Sequence, residues 1–352
     1  MNTVPTGAAQ VAARGEPASR TRFQVAAWLF ACCALVYAMV VVGGVTRLTH
    51  SGLSIVEWQP IIGAVPPLSE AQWMKTFGEY QLTPEYQKVN QGMSLAAFKS
   101  IFWWEYFHRL LGRTIGFVFL LPLLWFWRRG YIDRPLVLKL AGIFLLGGLQ
   151  GAMGWYMVKS GLVDDPRVSQ YRLTAHLALA LAIYAAMLWT ALDLLYRGAK
   201  VRQPQLRRFS WIVTAMVAYM VVTGGLVAGT HAGLAYNTFP LMNGHWVPPE
   251  IFMLDPWPLN FFNNLATVQF DHRLGAWLLA LLVPWLWLKA RRATLTPRAR
   301  LMLNLLAGML ALQITLGIST LLLVVPVPLA AAHQAGAVLL LTIALLTNHA
   351  LR

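Results

Sequence analysis

The sequence predicts an all-α integral membrane protein with eight transmembrane helices. Hydrophobic residues make up 58% of its 352 positions and charged residues only 12%, a balance far from that of soluble globular domains. Apolar stretches of about 20 residues, the length that crosses the hydrocarbon core as a helix, occur eight times. We number these stretches spans 1 to 8, near residues 23–46, 101–127, 136–158, 174–195, 209–230, 265–288, 301–325 and 328–351.

The basic residues predict the orientation of the spans. Of the 28 lysines and arginines, 18 fall in the N-terminal tail, the connections after spans 2, 4 and 6, and the C-terminus. The positive-inside rule therefore places these segments and both termini in the cytoplasm. Residues 1–22 are expected to form a cytoplasmic tail, with a short mitochondrial presequence as the alternative. Orientation accounts for the net charge of +15, so no nucleic-acid partner is expected.

The chain contains an internal repeat. The segment GGVTRLTHSGL, from Gly43, matches GGLVAGTHAGL, from Gly224, at an offset of 181 residues. Further along, HRLLG matches HRLGA, LQGAMG matches LQITLG, and TAHLALAL matches AAHQAGAV. We therefore predict two parallel, pseudo-symmetric four-helix bundles, residues 23–200 and 201–352, the first with a long outer loop over 47–100.

Four histidines occupy equivalent positions near the outer ends of the even-numbered spans. They are His108, His176, His272 and His333. Ionisable side chains within a bilayer are costly and usually functional. Two histidines on parallel helices of one bundle suit a haem iron ligated from both faces, whereas zinc would lack half of its tetrahedral ligands. Hydrogen bonding between helices is the alternative explanation. No ligand role is expected for the other histidines near span ends and loops, His50, His231, His245 and His349.

Arginines near these histidines are candidates for binding haem propionates. Guanidinium groups pair bidentately with carboxylates, although snorkelling to lipid headgroups is equally compatible with their positions. The candidates are Arg109, Arg113, Arg172 and Arg273.

The two repeats differ in the loop that follows their first span. At the repeat offset, Glu57 in the first half corresponds to Thr238 in the second. This difference suggests that the first half carries out the chemistry and the second supports it. The mixed aromatic and charged stretch over 69–88 predicts an amphipathic segment on the membrane surface. Cys32 and Cys33 are neighbours within span 1, so no disulfide is expected.

Motifs distributed over essentially the whole chain together resemble those of the haem A synthase family. They are GGVTRLTHSGLSIVEWQPIIGAVPP, FWWEYFHRLLGR, QGAMGWYMVKSGL, RLTAHLALAL, THAGLAYNTFPLMNG, FDHRLGAW and AAHQAGA. The resemblance implies that His272 and His333 ligate a haem b cofactor, beside Arg273. It also implies that His108 and His176 bracket haem O as substrate, near Arg109, Arg113 and Arg172, with Glu57 as the catalytic carboxylate.

The resemblance further implies an oxidoreductase of a bacterial inner membrane, or less directly of the mitochondrial inner membrane. Its reaction would oxidise the C8 methyl of haem O to an alcohol and then to the formyl group of haem A. The family's partners would be the haem O synthase, the terminal oxidase assembly machinery and an unidentified electron acceptor. The chain lacks the outer-loop cysteine pair of some bacterial members. A di-haem quinol oxidoreductase, a haem-handling assembly factor and a homo-oligomer remain open alternatives.

Overall fold

The computed structural model describes residues 7–57, 62–161, 166–196 and 203–352. Within these described residues, eight helices are long and apolar enough to cross a membrane, as the sequence predicts. We label these α1 to α8: Gly7–Leu48, Leu95–Arg128, Arg134–Gly161, Gln170–Leu195, Pro204–Thr230, Leu265–Arg291, Pro297–Leu322 and Val327–Ala350. Trp58 of the outer loop, the first six residues of the predicted tail, and Arg197, Lys200 and Arg202 lie outside the described residues.

Local sequence signals explain where several of these helices begin. The side chains of Ser94, Asn264 and Thr296 accept hydrogen bonds from the first-turn amides of α2, α6 and α7. Proline occupies the first turn of α5, α7 and α8, where its missing N–H is not needed. The helix of span 2 begins at Leu95, earlier than predicted, because Ser94 caps it before the apolar stretch starts.

The long helices pack in two groups of four. In the first group α1 contacts α2 and α4, and α3 contacts α2 and α4; α5 to α8 repeat this pattern in the second group. Contacts of α1 with α8, and of α4 with α5 and α8, join the groups. The arrangement is compatible with the predicted division into residues 23–200 and 201–352, which stays a prediction.

The apolar core lies toward the end of the molecule that carries both termini, which we call the inner end. Its fully buried side chains include Leu29 of α1, Leu140 of α3, Leu192 of α4, Leu286 of α6 and Leu306 of α7. The four candidate histidines lie toward the opposite, outer end of their helices and are only half-buried. The inner core thus holds the helices together and leaves the outer part of each group for the site. Cys32 and Cys33 are buried in this core as free thiols.

The outer loop of the first half folds against α2. Helices Glu70–Gln81 and Pro84–Lys88 occupy the predicted amphipathic stretch. The buried rings of Trp73, Phe77 and Tyr80 pack on Phe98 and Phe102 of α2. The outer extension of α2 therefore covers these rings, and a position of the segment on the membrane surface stays a prediction.

Candidate functional site

Each of the four candidate histidines packs directly against a glycine of a neighbouring helix. A methyl group on that glycine would lie between 2.8 and 3.3 Å from the imidazole ring. The pairs are His108 with Gly43, His176 with Gly154, His272 with Gly224, and His333 with Gly317. Any larger residue would displace the ring, so these glycines set the position of all four imidazoles.

The histidines of the second half lie at the separation that one metal ion requires. The ring centroids of His272 and His333 are 6.4 Å apart, and the ring planes are inclined at 80°. Two imidazoles bound to one ion through bonds of about 2 Å bring their ring centres to about 6 Å apart. His108 and His176 of the first half lie close enough to interact electrostatically. The donor set therefore fits a metal held between two imidazoles.

Glutamines from the LQ motifs support the histidines of α4 and α8. The Gln150 side chain donates a hydrogen bond to the backbone carbonyl of His176 at 3.0 Å, and Gln313 donates to that of His333 at 2.9 Å. Each amide also lies within 3.4 Å of a ring nitrogen of its histidine. Such outer contacts orient metal-binding imidazoles.

The outer loops are held by an arginine that directly follows a histidine in each half. Arg109 donates to the carbonyls of Ile55 and Glu57 at 2.9 and 3.2 Å. Arg273 donates to those of Tyr236 and Thr238, the residues 181 positions later, at 2.7 and 2.9 Å. The acceptor carbonyls are thus related by the repeat offset, and both arginines anchor loop backbone.

A buried carboxylate lies one helical turn before His108. Glu105 is only 2% exposed, and its Oε1 pairs with Arg109 at 2.6 Å. Its Oε2 accepts from the hydroxyl of Ser54 at 2.8 Å and from the amide of Ile55 at 2.9 Å. In the second half Gln269 takes this place: it is also buried, and its side-chain carbonyl accepts from Arg273 at 2.8 Å.

Comparison with known proteins places the chain in a family. The COX15-CtaA model, described as a cytochrome oxidase assembly protein, matches residues 26–345. A protein named Heme A synthase from Nitrosospira multiformis is 67% identical over 332 residues, covering 93% of both chains. The Heme A synthase from Nitrosomonas eutropha is 57% identical, again over 93% of both chains. Heme A synthase COX15 from Arabidopsis thaliana is 46% identical over 93% of this chain and 74% of its own. This chain belongs to the haem A synthase family.

The catalytic carboxylate predicted from the sequence is Glu57. The carboxylate that lies buried one helical turn from His108 is a different residue, Glu105. Glu57 is exposed, and its backbone carbonyl is the group that Arg109 holds. Sequence reasoning missed Glu105, although a signal was present. Glu105 and Gln269 both lie three positions before the histidine of the matched HR motifs, on the same helix face.

The other predicted arginines take different positions. Arg172 donates to the carbonyl of Tyr156 at 3.0 Å and stacks 3.8 Å above its ring. Arg113 is half-buried on α2 and lies near Arg109. Binding of haem propionates by any of these arginines stays a prediction.

The remaining histidines lie away from the four candidate ligands. His50 and His231, at the outer ends of α1 and α5, face each other with ring centroids 6.3 Å apart and planes within 4°. Burial is the main cause of the lowered pKa of His231, and the nearby Arg47, His50 and Arg167 lower it further. At the inner end His349 contacts Asp193 at 3.2 Å. His245 forms a short backbone bridge with Met242.

Proposed function

We propose that this chain is a haem A synthase, which oxidises the C8 methyl of haem O stepwise to the formyl group of haem A. The observation that carries the proposal is the pair of matched histidine sets, one of which has the 6.4 Å separation of two imidazoles on one metal ion. The relatives' shared name gives the product, haem A, and the eight apolar helices suit the handling of so apolar a molecule.

The two halves divide the work. His272 and His333 hold a haem b cofactor, which when bound accepts the electrons that leave the substrate. His108 and His176 hold haem O, and Gly43 and Gly154 fix the positions of their rings. The arginine that follows His108 or His272 keeps the outer loop in place over its half. This division assigns oxidation to the first half, where Glu57 and Glu105 lie.

A carboxylate near the substrate would stabilise positive charge that develops beside the conjugated ring or take up the proton that leaves the methyl carbon. Glu57 is the candidate from the repeat comparison, since Thr238 replaces it in the second half. Glu105 is a second candidate, supported by its burial one turn from His108 and by its replacement with Gln269. Arg109 touches both residues, so it couples their positions.

The decisive experiment is chromatography of haems extracted from the purified protein, produced in a bacterial host that makes haem O but no haem A. The parent protein should yield haem B, haem O and haem A. A di-haem quinol oxidoreductase would yield haem B alone, and a haem-handling assembly factor would yield haem O without haem A. Either of these results would contradict the proposed reaction.

The same assay separates the two carboxylates. If Glu105 acts on the substrate, Glu105→Gln should reduce haem A formation by about 100-fold or more, because general acid–base groups contribute about 10²–10⁴-fold. Glu57→Gln should then retain most of the activity, and the reverse result would assign the role to Glu57. Haem B content is the control, since neither substitution touches His272 or His333. Parent rates in both variants would exclude both carboxylates.

A further inference from the structure

The two halves also differ in the side chain that lies beside His108 of α2 or His272 of α6. In the second half, Oγ1 of Thr223 lies 2.9 Å from Nδ1 of His272. The same hydroxyl donates its hydrogen to the carbonyl of Met220 at 3.3 Å. With its single hydrogen directed to Met220, the hydroxyl can accept a hydrogen bond from Nδ1–H of His272. In that tautomer the neutral ring keeps the lone pair of Nε2 for a metal.

Among the described residues of the first half, His108 has no such hydroxyl partner. At the repeat offset of 181 residues, Thr223 corresponds to Val42, whose side chain carries no polar atom. Within the described part of the chain, no hydrogen bond reaches the ring of His108. The packing is otherwise matched, because His108 lies against Gly43 and His272 against Gly224. The hydroxyl is thus a local difference within an equivalent frame.

The opposite ligand of each pair does not show this difference. Gln150 binds the backbone carbonyl of His176, and Gln313 binds that of His333, at 3.0 and 2.9 Å. The ring contacts differ, because the Gln150 amide lies 3.4 Å from Nε2 of His176 and the Gln313 amide lies 3.2 Å from Nδ1 of His333. The backbone support of these two histidines is therefore matched, and the difference in a hydroxyl partner lies at the histidines of α2 and α6.

We propose that Thr223 is the positioning residue that makes the haem of the second half resident, and that Val42 leaves the haem of the first half exchangeable. The inference rests on the proposed function, which assigns a cofactor to one half and a substrate to the other. A hydrogen bond accepted from Nδ1–H fixes the tautomer and orientation of a metal-binding imidazole and raises its basicity. A cofactor site gains retention from this support, whereas a substrate site must release its product.

Replacing the hydroxyl with a methyl group of the same shape tests this proposal. Thr223→Val should weaken haem b binding by about 10–100-fold, the usual cost of losing such a partner. The measurement is transfer of haem b from the purified holoprotein to an excess of a haem-scavenging apoprotein, followed in the visible spectrum. The midpoint potential of haem b should also rise, because a less basic imidazole stabilises ferric iron less. Thr223→Ser keeps the hydroxyl and should restore both properties.

The reciprocal variant tests the other half. Val42→Thr supplies a hydroxyl beside His108 and should slow the loss of haem O and haem A from the first half, leaving the haem b potential unchanged. Parent-like haem b transfer and potential in Thr223→Val, or unchanged haem O loss in Val42→Thr, would overturn the inference even if haem A is still made. A parent protein that contains no haem b would instead contradict the proposed function itself.

Discussion

At the scale of single residues, the site is a set of matched positions in which a few side chains differ in chemistry. Glu105 and Gln269 bind the same kind of arginine in the same place, but only one carries a charge. The sequence predicted the four histidines, because ionisable residues inside spans stand out. It did not single out Glu105, because a glutamate beside two tryptophans near a span end is also typical of an exposed interfacial residue. Only the structure shows that Ser54 and Ile55 enclose its carboxylate.

Glu85 is a second buried carboxylate of the first half, within the aromatic cluster of the outer loop. Its Oε2 lies 3.5 Å from the hydroxyl of Tyr80, which also accepts a 2.7 Å hydrogen bond from Asn90. The pKa of Glu85 is raised to about 8, mainly by burial and to a smaller extent by the nearby charge of Glu105. The folded loop therefore binds this proton more tightly than the unfolded chain, in which a glutamate has a pKa of about 4.3.

We predict that the outer loop loses stability as the pH rises from about 4.5 to 8, because the folded state retains a proton there that the unfolded state has released. In limited proteolysis of the purified protein, cleavage within residues 62–94 should be faster at pH 8 than at pH 6. Glu85→Gln should abolish this difference. Glu70→Gln, which changes an exposed carboxylate of the same loop, should leave the difference as in the parent. Equal cleavage of the parent at both pH values would contradict the prediction.

At the scale of helices, the apolar stretches predicted the eight spans to within a few residues at most ends, but not what their faces contact. The stretch 69–88 has the pattern of an amphipathic helix, and that pattern is the same whether lipid or protein covers the apolar face. Here α2 extends outward from Leu95 and supplies Phe98 and Phe102 as the partners. Phe98 precedes the predicted start of span 2, and Phe102 lies at it. The sequence prediction therefore included no helix at this place on which the outer loop could pack.

Two pairs of glycines lie where the two groups of helices meet. Runs of small residues such as Gly43-Gly44 and Gly224-Gly225 suit close helix contacts, either within a subunit or between subunits. In the structure Gly44 packs on Gln334 of α8, and Gly225 packs on Thr174 of α4. Both contacts join the two groups of helices within one chain.

Close packing of α4 on α5 leads to a prediction about Gly229. A methyl group at this position would lie 2.6 Å from the backbone Cα of Gln170, whereas one at Gly308 would meet no atom within 4 Å. Gly229→Ala must therefore separate the helices, at a cost of about 1–3 kcal/mol. Gly308→Ala should instead be neutral or stabilising by up to about 1 kcal/mol, since alanine favours the helix. Heating the two variants in detergent and measuring the monodisperse fraction by gel filtration checks this difference, and equal thermal stability would contradict it.

At the scale of the whole molecule, an inner core and an outer site follow from one arrangement of helices. The fully buried apolar residues hold the helices together at the end that carries the termini, and the histidines, their glycines and the arginine-anchored loops lie toward the other end. The repeat in the sequence predicted equivalent positions, and the loop carbonyls that accept from Arg109 and Arg273 are related by its offset of 181 residues. The sequence could not predict that His50 and His231 meet, because that contact depends on how the two groups pack.

The distribution of basic residues predicts which end of this molecule faces the cytoplasm, and cysteine labelling tests it. Gln91 of the outer loop and Thr294 of the α6–α7 connection are both exposed. The native Cys32 and Cys33 are buried at 1% and 4% exposure, so the parent provides an unlabelled background. A membrane-impermeant thiol reagent added to intact spheroplasts should label Gln91→Cys directly, and Thr294→Cys only after the membrane is permeabilised. The reverse order would place the histidines toward the cytoplasm, and the substrate and product would then exchange on that side.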